Sequence, residues 1–256
     1  MRIISVINLK GGVGKTTTAL QMGHILHHRY GYRVLMVDND KQGNLSRAMR
    51  VYESGGRCQM AHLLYGESTK DMNIHTDTPG FGAVNANMSL LTATYRLAAG
   101  QGTHVARRLD TLKRAQAEDE EPYDYVIIDN PPDLGLNVIN ALMVTDDVIV
   151  PTRIDQWALE GMEIIQEQIK DIRRYNRRIA QPKVLVTMYK ADEVNQSGVE
   201  WLDEQGYKMF DTKIRYSGKV SASTLFGTNL EEYSPRSAAA VSYRRFVREY
   251  LEMERE

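Results

Sequence analysis

Short runs of consecutive apolar residues alternate along this chain with longer segments whose apolar positions recur every three to four residues. Five runs rich in valine and isoleucine predict strands: Arg2 to Asn8, Arg33 to Val37, Tyr125 to Ile128, Asp147 to Val150 and Lys183 to Thr187. Such continuous apolar strands suit a parallel sheet covered on both faces. Between the first two, Lys15 to Tyr30 places Ala19, Met22, Gly23 and Leu26 on one helical face, which gives strand, glycine-rich loop, helix, strand. Residues Ser54 to Gly82 have weak periodicity and are expected to be loops with one short helix near Met60 to Leu64, and acidic Glu118 to Glu121 reads as a solvated turn. No repeat, low-complexity tract or linker divides the chain. The expectation is a single α/β domain over residues 1–256, built on a mostly parallel twisted sheet with helices on both faces.

Composition narrows the function classes. The 256 residues are 42% hydrophobic and 25% charged, enough for one substantial core, and the net charge of −1 means that any nucleic-acid contact has to come from a local basic patch. Cys58 is the single cysteine, so neither an internal disulfide nor a metal site built from several thiolates of one chain is available. The chain runs from Met1 straight into a strand, with no signal-like leader and no apolar run of about 18 residues, so a cytoplasmic protein without a membrane span is expected.

The segment Lys10-Gly11-Gly12-Val13-Gly14-Lys15-Thr16-Thr17 falls between a buried strand and a helix N-terminus. Glycines let backbone N–H groups turn inward around phosphate oxygens, and the helix dipole favours an anion there. Lys15 is placed to reach the β- and γ-phosphates of ATP, and the Thr16 hydroxyl to ligate Mg²⁺. The general pattern G-x-x-x-x-G-K-S/T is not met, because Leu9 occupies its first glycine position and Lys10 follows. Asp38-Asn39-Asp40 closes the second strand, where carboxylates face the ligand crevice of a parallel sheet, although the same residues also read as a cap and turn. The strand Val126-Ile127-Ile128 ends in Asp129, which is placed to hold Mg²⁺ directly or through water.

Together these segments resemble the deviant Walker A P-loop ATPases of the ParA/MinD family, most closely its ParA branch. The resemblance continues through Val150-Pro151, Ala158-Leu159-Glu160-Gly161, Thr187-Met188-Tyr189, Tyr233-Ser234-Pro235, Ala238-Ala239 and Tyr243, and is weakest over residues 45–119. It implies ATP and Mg²⁺ as cofactors, with Gly11, Gly12, Val13, Gly14, Lys15, Thr16 and Thr17 around the phosphates and Met188 and Tyr189 near the base. It implies Thr16, Asp38 and Asp129 at the metal, and Lys10, Lys15 and Asp40 in catalysis, Lys10 reaching the partner subunit's nucleotide and Asp40 orienting the attacking water. Lys41 stands where the family commonly has proline, and Asp133 where it has serine.

The resemblance further implies a homodimer formed on ATP binding, non-specific DNA binding, a ParB-like partner that stimulates slow hydrolysis, and residence on the nucleoid. The most basic stretch carries Arg173, Arg174, Arg177 and Arg178, and Lys219 aligns with a DNA-contacting arginine of the family. The bland alternative is the solvated basic face of an amphipathic helix. Asp192 falls where another such arginine is expected. The second functional reading, a MinD-like ATPase at a membrane, needs the C-terminal stripe of Tyr243, Phe246, Val247, Tyr250 and Leu251 as an amphipathic anchor, against its use as a helix closing the core. His24 and His28, one helical turn apart beside His27, could bind a metal but have no acidic third ligand in sequence.

Overall fold

The computed structural model describes residues 1–74, 76–99, 108–116 and 121–254, with the side chains at 99, 108 and 156–160 outside the description. The strands are β1 (Arg2–Val6), β2 (Val34–Asp38), β3 (Phe81–Val84), β4 (Tyr125–Asp129), β5 (Asp147–Arg153) and β6 (Lys183–Thr187). They form one sheet in the order β3-β2-β4-β1-β5-β6, and every pairing is parallel. The five expected strands are therefore present, β6 at its expected bounds and the others with an end moved by at most three residues.

Side chains alternate between two buried faces. Ile4, Val6, Val34, Met36, Tyr125, Ile127, Ile149 and Leu185 face α1 (Lys15–Tyr30) and the last helix, Ala238–Met253. Ile3, Leu35, Val37, Val126 and Ile128 point the other way, against Gln59–Tyr65, Ser89–Ala99 and Leu136–Val144. Farther along that face, Val148, Val150, Val184 and Val186 pack under Leu136–Val144, Gln156–Ile172 and Glu193–Glu204. In chain order the helices are α1, α2 (Asn44–Ala48), α3 (Gln59–Tyr65), α4 (Ser89–Ala99), α5 (Leu136–Val144), α6 (Gln156–Ile172), α7 (Glu193–Glu204), α8 (Gly218–Leu225), α9 (Leu230–Tyr233) and α10 (Ala238–Met253).

The predicted face of α1 is buried at Ala19, Met22, Gly23 and Leu26. At Gly23 a side chain would run into the sulfur of Met36, so glycine lets the helix lie directly on β2. The short helix expected near Met60 to Leu64 is α3, but the same stretch was expected to end in loop and instead opens β3. Phe81-Gly82-Ala83-Val84 has too few β-favouring residues to stand out. It is a strand because its backbone pairs with β2, and Gly82 is required where the Tyr123 ring and the Ile74 carbonyl leave no room for a Cβ. Of the acidic turn, 118–120 lie outside the described residues.

The C-terminal stripe is occupied by the protein itself. Tyr243, Phe246, Val247, Tyr250 and Leu251 of α10 are buried in the core that α1 shares with the sheet, with Phe246 edge-on to Phe210 at 4.9 Å. The alternative of a core-closing helix is the one observed. Among the described residues, no helix is long and apolar enough to cross a membrane.

Because Phe246 is fully buried, Phe246→Ala should destabilise the protein by about 3–5 kcal/mol. Chemical denaturation checks this, with a fall in midpoint at unchanged slope as the expected result.

Candidate functional site

The chain leaves β1 at Val6, returns through α1 to β2 on one side, and leaves β4 through α5 for β5 on the other side of β1. Connections that diverge in this way open a crevice at the carboxyl ends of β1 and β4. Register puts Val6 beside Asp129 and Asp38 beside Asp129, so the glycine loop and both carboxylates reach the crevice at one level.

The loop itself is shaped for an anion. Gly12 and Gly14 have φ of +73° and +91°, a region that side chains disfavour, and a Cβ at Gly11, Gly12 or Gly14 would meet nothing within 4 Å. Gly14 caps α1 without a side-chain acceptor, and the first turn holds no acid, so the helix N-terminus presents its N–H groups and positive dipole end. Thr187 at the end of β6 donates to the Val13 carbonyl at 2.8 Å and fixes the far side of the loop. The Lys15 ammonium donates to the Lys10 carbonyl at 2.8 Å. Burial holds its pKa below the ordinary lysine range, opposed by the carboxylates of Asp129, Asp40 and Asp133.

Two carboxylates are buried beside it. Asp38 and Asp129 are each 1% exposed. Burial pushes Asp38 up to about 6 in spite of the bonds it accepts, from the Ser46 amide and hydroxyl, both at 2.7 Å, and from the Asp40 amide at 3.1 Å. Asp129 is also raised well above the ordinary carboxylate range, by complete burial and then by the charge of Asp38, and the Thr16 hydroxyl bonded to it gives only partial relief. Its Oδ1 is buried with no hydrogen-bond partner. A divalent cation fits this arrangement, since it would satisfy the orphaned oxygen and neutralise two acids held side by side. Thr16 and Asp129 are its ligands in that case. Both Asp38 oxygens accept bonds from protein donors, which suits the place beside the metal's water shell that the family resemblance implies for it.

Lys10 is placed differently from Lys15. Its ammonium lies 2.5 Å from both carboxylate oxygens of Asp155, in the loop between β5 and α6, on the rim of the crevice. Asp155 had no signal in the sequence, because only the fold brings it to Lys10. Asp40 is half-buried and accepts from the Gln42 amide at 2.9 Å. Lys41 and Asp133, two departures from the family pattern, lie 4.0 Å apart. Met188 adopts a left-handed φ of 53° directly after Thr187, and the Tyr189 amide donates to Ile214 at 2.9 Å, so both expected base-contact residues sit in a segment anchored to the phosphate loop.

The basic candidates are not brought together. Helix α6 ends at Ile172, so Arg173, Arg174, Arg177 and Arg178 lie in the turns after it and do not form the expected helical face. Arg178 pairs with Asp146 at 2.7 Å, and Asp146 accepts from the Ile3 amide, which puts this group at the amino ends of the strands, away from the crevice. Lys219 is exposed on α8, and Lys190, beside the Tyr189–Arg215 bridge, holds its ammonium 5.0 Å from the Tyr216 ring. Asp192 caps α7 by accepting from Asn195 at 2.9 Å. His24 and His28 pack ring on ring at 4.1 Å, and burial, then the neighbouring histidines and Arg29, lower His24 to about 4. No group of three potential ligands is found among the described residues.

Comparison with known proteins agrees with this geometry. The family described as an AAA domain matches residues 1–181. The chain is 33% identical to the chromosome partitioning protein ParA of Caulobacter vibrioides over 261 residues, covering 100% of this chain and 96% of that one. It is 34% identical to the chromosome-partitioning ATPase Soj of Thermus thermophilus over 254 residues, covering 98% and 96%. Among solved structures, cobyrinic acid a,c-diamide synthase from Mycobacterium smegmatis with bound ATP analog and magnesium superposes with a TM-score of 0.81 at 27% identity, covering 100% and 96%. The septum site-determining protein MinD from Pyrococcus horikoshii, complexed with Mg-ADP, does so at 0.75 and 20% identity over 99% and 97%, a likeness of fold.

Asp129→Asn should stabilise the metal-free protein by about 1–2 kcal/mol, a rise in Tm of several degrees by calorimetry, while Mg²⁺-dependent nucleotide binding is lost. For Asp38 the folded pKa of about 6 lies above the ordinary 3.8, so its contribution to stability is present below 3.8 and is lost as pH rises through 6. The stability advantage of Asp38→Asn over the native chain, measured by denaturation without metal, should therefore grow between about pH 4 and pH 6 and level off above.

Proposed function

The chain belongs to the ParA/Soj family of partitioning ATPases, and on that premise we propose that it binds ATP with Mg²⁺, closes into a dimer around two nucleotides, and hydrolyses ATP slowly to time the life of that dimer. The observation that carries this reading is the division of labour between its two lysines. Lys15 is buried in the loop where phosphate would neutralise it, whereas Lys10 projects from the rim and is held by Asp155 outside its own phosphate cradle. A cation so placed is free to serve a facing subunit once Asp155 releases it.

Within this reading each residue has one task. The loop amides and Lys15 hold the triphosphate, and Gly11, Gly12, Val13, Gly14, Thr16 and Thr17 line that cradle. Thr16 and Asp129 hold the metal, which supplies charge neutralisation at the phosphoryl group. Asp40, half-buried at the end of β2, orients water. Lys10 from the opposing subunit adds positive charge where the transition state spreads negative charge, so that hydrolysis waits for the dimer. Met188 and Tyr189 lie beside the base.

The output is DNA positioning: the ATP dimer binds DNA without sequence preference, and a ParB-like partner stimulates turnover, on the nucleoid of a cytoplasm. The placement of Lys219, Arg215 and Lys190 on the crevice side favours that surface over the Arg173 to Arg178 turns. The MinD-like reading loses its support in α10, whose apolar stripe lies in the core.

Light scattering of the purified protein with magnesium and a non-hydrolysable triphosphate should report a dimer, and a persistent monomer would overturn the proposal. Lys10→Ala should keep ATP binding but lose ATP-dependent dimerisation and turnover, whereas Asp40→Ala should trap the ATP-bound dimer. DNA retention with ATP should fall steeply with salt and be weakened by Lys219→Ala, while Arg174→Ala leaves it unchanged.

A further inference from the structure

Between the two site aspartates stands Asn39, which is 0% exposed. Its amide donates to the Asp129 carbonyl at 2.9 Å, its carbonyl accepts from the Asn137 side chain at 2.9 Å, and its own side-chain NH₂ donates to Asn130 Oδ1 at 2.8 Å. Asn130, 1% exposed, turns its NH₂ toward the carbonyls of Val6 at 3.2 Å and Ile128 at 3.3 Å. Because both acceptors are carbonyls, the Asn130 amide has only one orientation, and Asn39 must present its NH₂ to it. The ends of β1, β2 and β4 and the first turn of α5 are thereby joined by side chains that bear no charge.

This joint is not what stability alone would select. Its directionality leaves Asn39 Oδ1 buried and without a partner, which an apolar pair of similar shape would avoid. What the amides provide is a fixed spacing between two loops, one carrying Asp40 and the other running from Asp129 to Asp133. At the rim the same loops are bridged a second time by Lys41 and Asp133. We infer that Asn39, Asn130 and Asn137 are positioning residues for phosphoryl transfer, which hold the water-orienting Asp40 in register with the metal-binding Asp129 so that the two loops respond to a bound nucleotide as one body. This rests on the ATPase reading above. All three side chains are buried and spend their NH₂ groups on protein acceptors, so the effect falls on turnover and not on affinity.

The test uses the full chain and compares Asn39→Leu, Asn130→Leu and the double variant for Tm, ATP affinity and single-turnover rate, with and without DNA. Each single variant strands a buried polar group and should lower both Tm and rate. In the double variant neither side chain leaves the other stranded, and the Val6 carbonyl, though it loses the Asn130 NH₂, keeps the Asn130 backbone amide, so Tm should recover part of the way toward the native value while the rate stays down about 10-fold to 100-fold, with ATP affinity within about 2-fold. Recovery of the rate together with Tm would make the network a structural joint and overturn the inference, as would an unaltered rate in the double variant. Should that variant not fold, Asn137→Ala, which removes only the bond to the Asn39 carbonyl, carries the same expectation: reduced rate with unchanged affinity, a native rate being the overturning result. Turnover by the native chain is read first. Its complete absence removes the ATPase reading and this inference with it, whereas native turnover that the variants leave intact removes the inference alone.

Discussion

Charge buried before its counter-ion arrives is the constraint on which this structure depends. Lys15, Asp38 and Asp129 are held nearly dry at the carboxyl end of the sheet, with no direct ion pair between the lysine and either acid. Burial weakens the charged form of each, and the Asp129 oxygen without a partner is the clearest sign that the protein alone does not complete the arrangement. Such a site is a poor contributor to stability and a good receptor: a triphosphate with a divalent metal supplies the missing charges, and their binding energy is recovered as order in the surrounding loops.

The sheet makes that arrangement possible at low backbone cost. Its parallel strands are apolar on both faces, so the helices that cover them are bound to deliver every β-to-α loop to one edge. The diverging connections on either side of β1 then leave the crevice in which the glycine loop, Asp38 and Asp129 converge. The opposite edge receives the α-to-β turns, and this is where Arg173 to Arg178 are carried by the end of α6. Basic residues dense in sequence are in this way carried to the edge opposite the glycine loop.

The two lysines of the loop show how position sets role. Lys15 lies within the first turn of α1 and is buried by the strands beside it, while Lys10 precedes the glycines and meets solvent and Asp155. The ion pair with Asp155 is partly exposed, so it contributes little to stability. Lys41 and Asp133 approach within 4.0 Å between the two loops that the buried asparagines also join.

The sequence by itself determined five of the six strands and the helix of the glycine loop, because these depend on local period and on contiguous motifs whose spacing is their geometry. It did not determine β3, whose Phe81-Gly82-Ala83-Val84 is a strand only by pairing with β2, nor the fate of the Tyr243 to Leu251 stripe, since an apolar helical face reads alike whether a core or a membrane covers it. Tertiary structure alone decided which oxygens of Asp38 were already engaged, that Asp155 holds Lys10, that Lys41 meets Asp133, and that Asn39 binds Asn130 across 91 residues of chain. The Asp38 bonds are local but depend on how the chain turns after β2, the others join segments far apart in sequence, and no period or motif records a distance that only the folded chain creates.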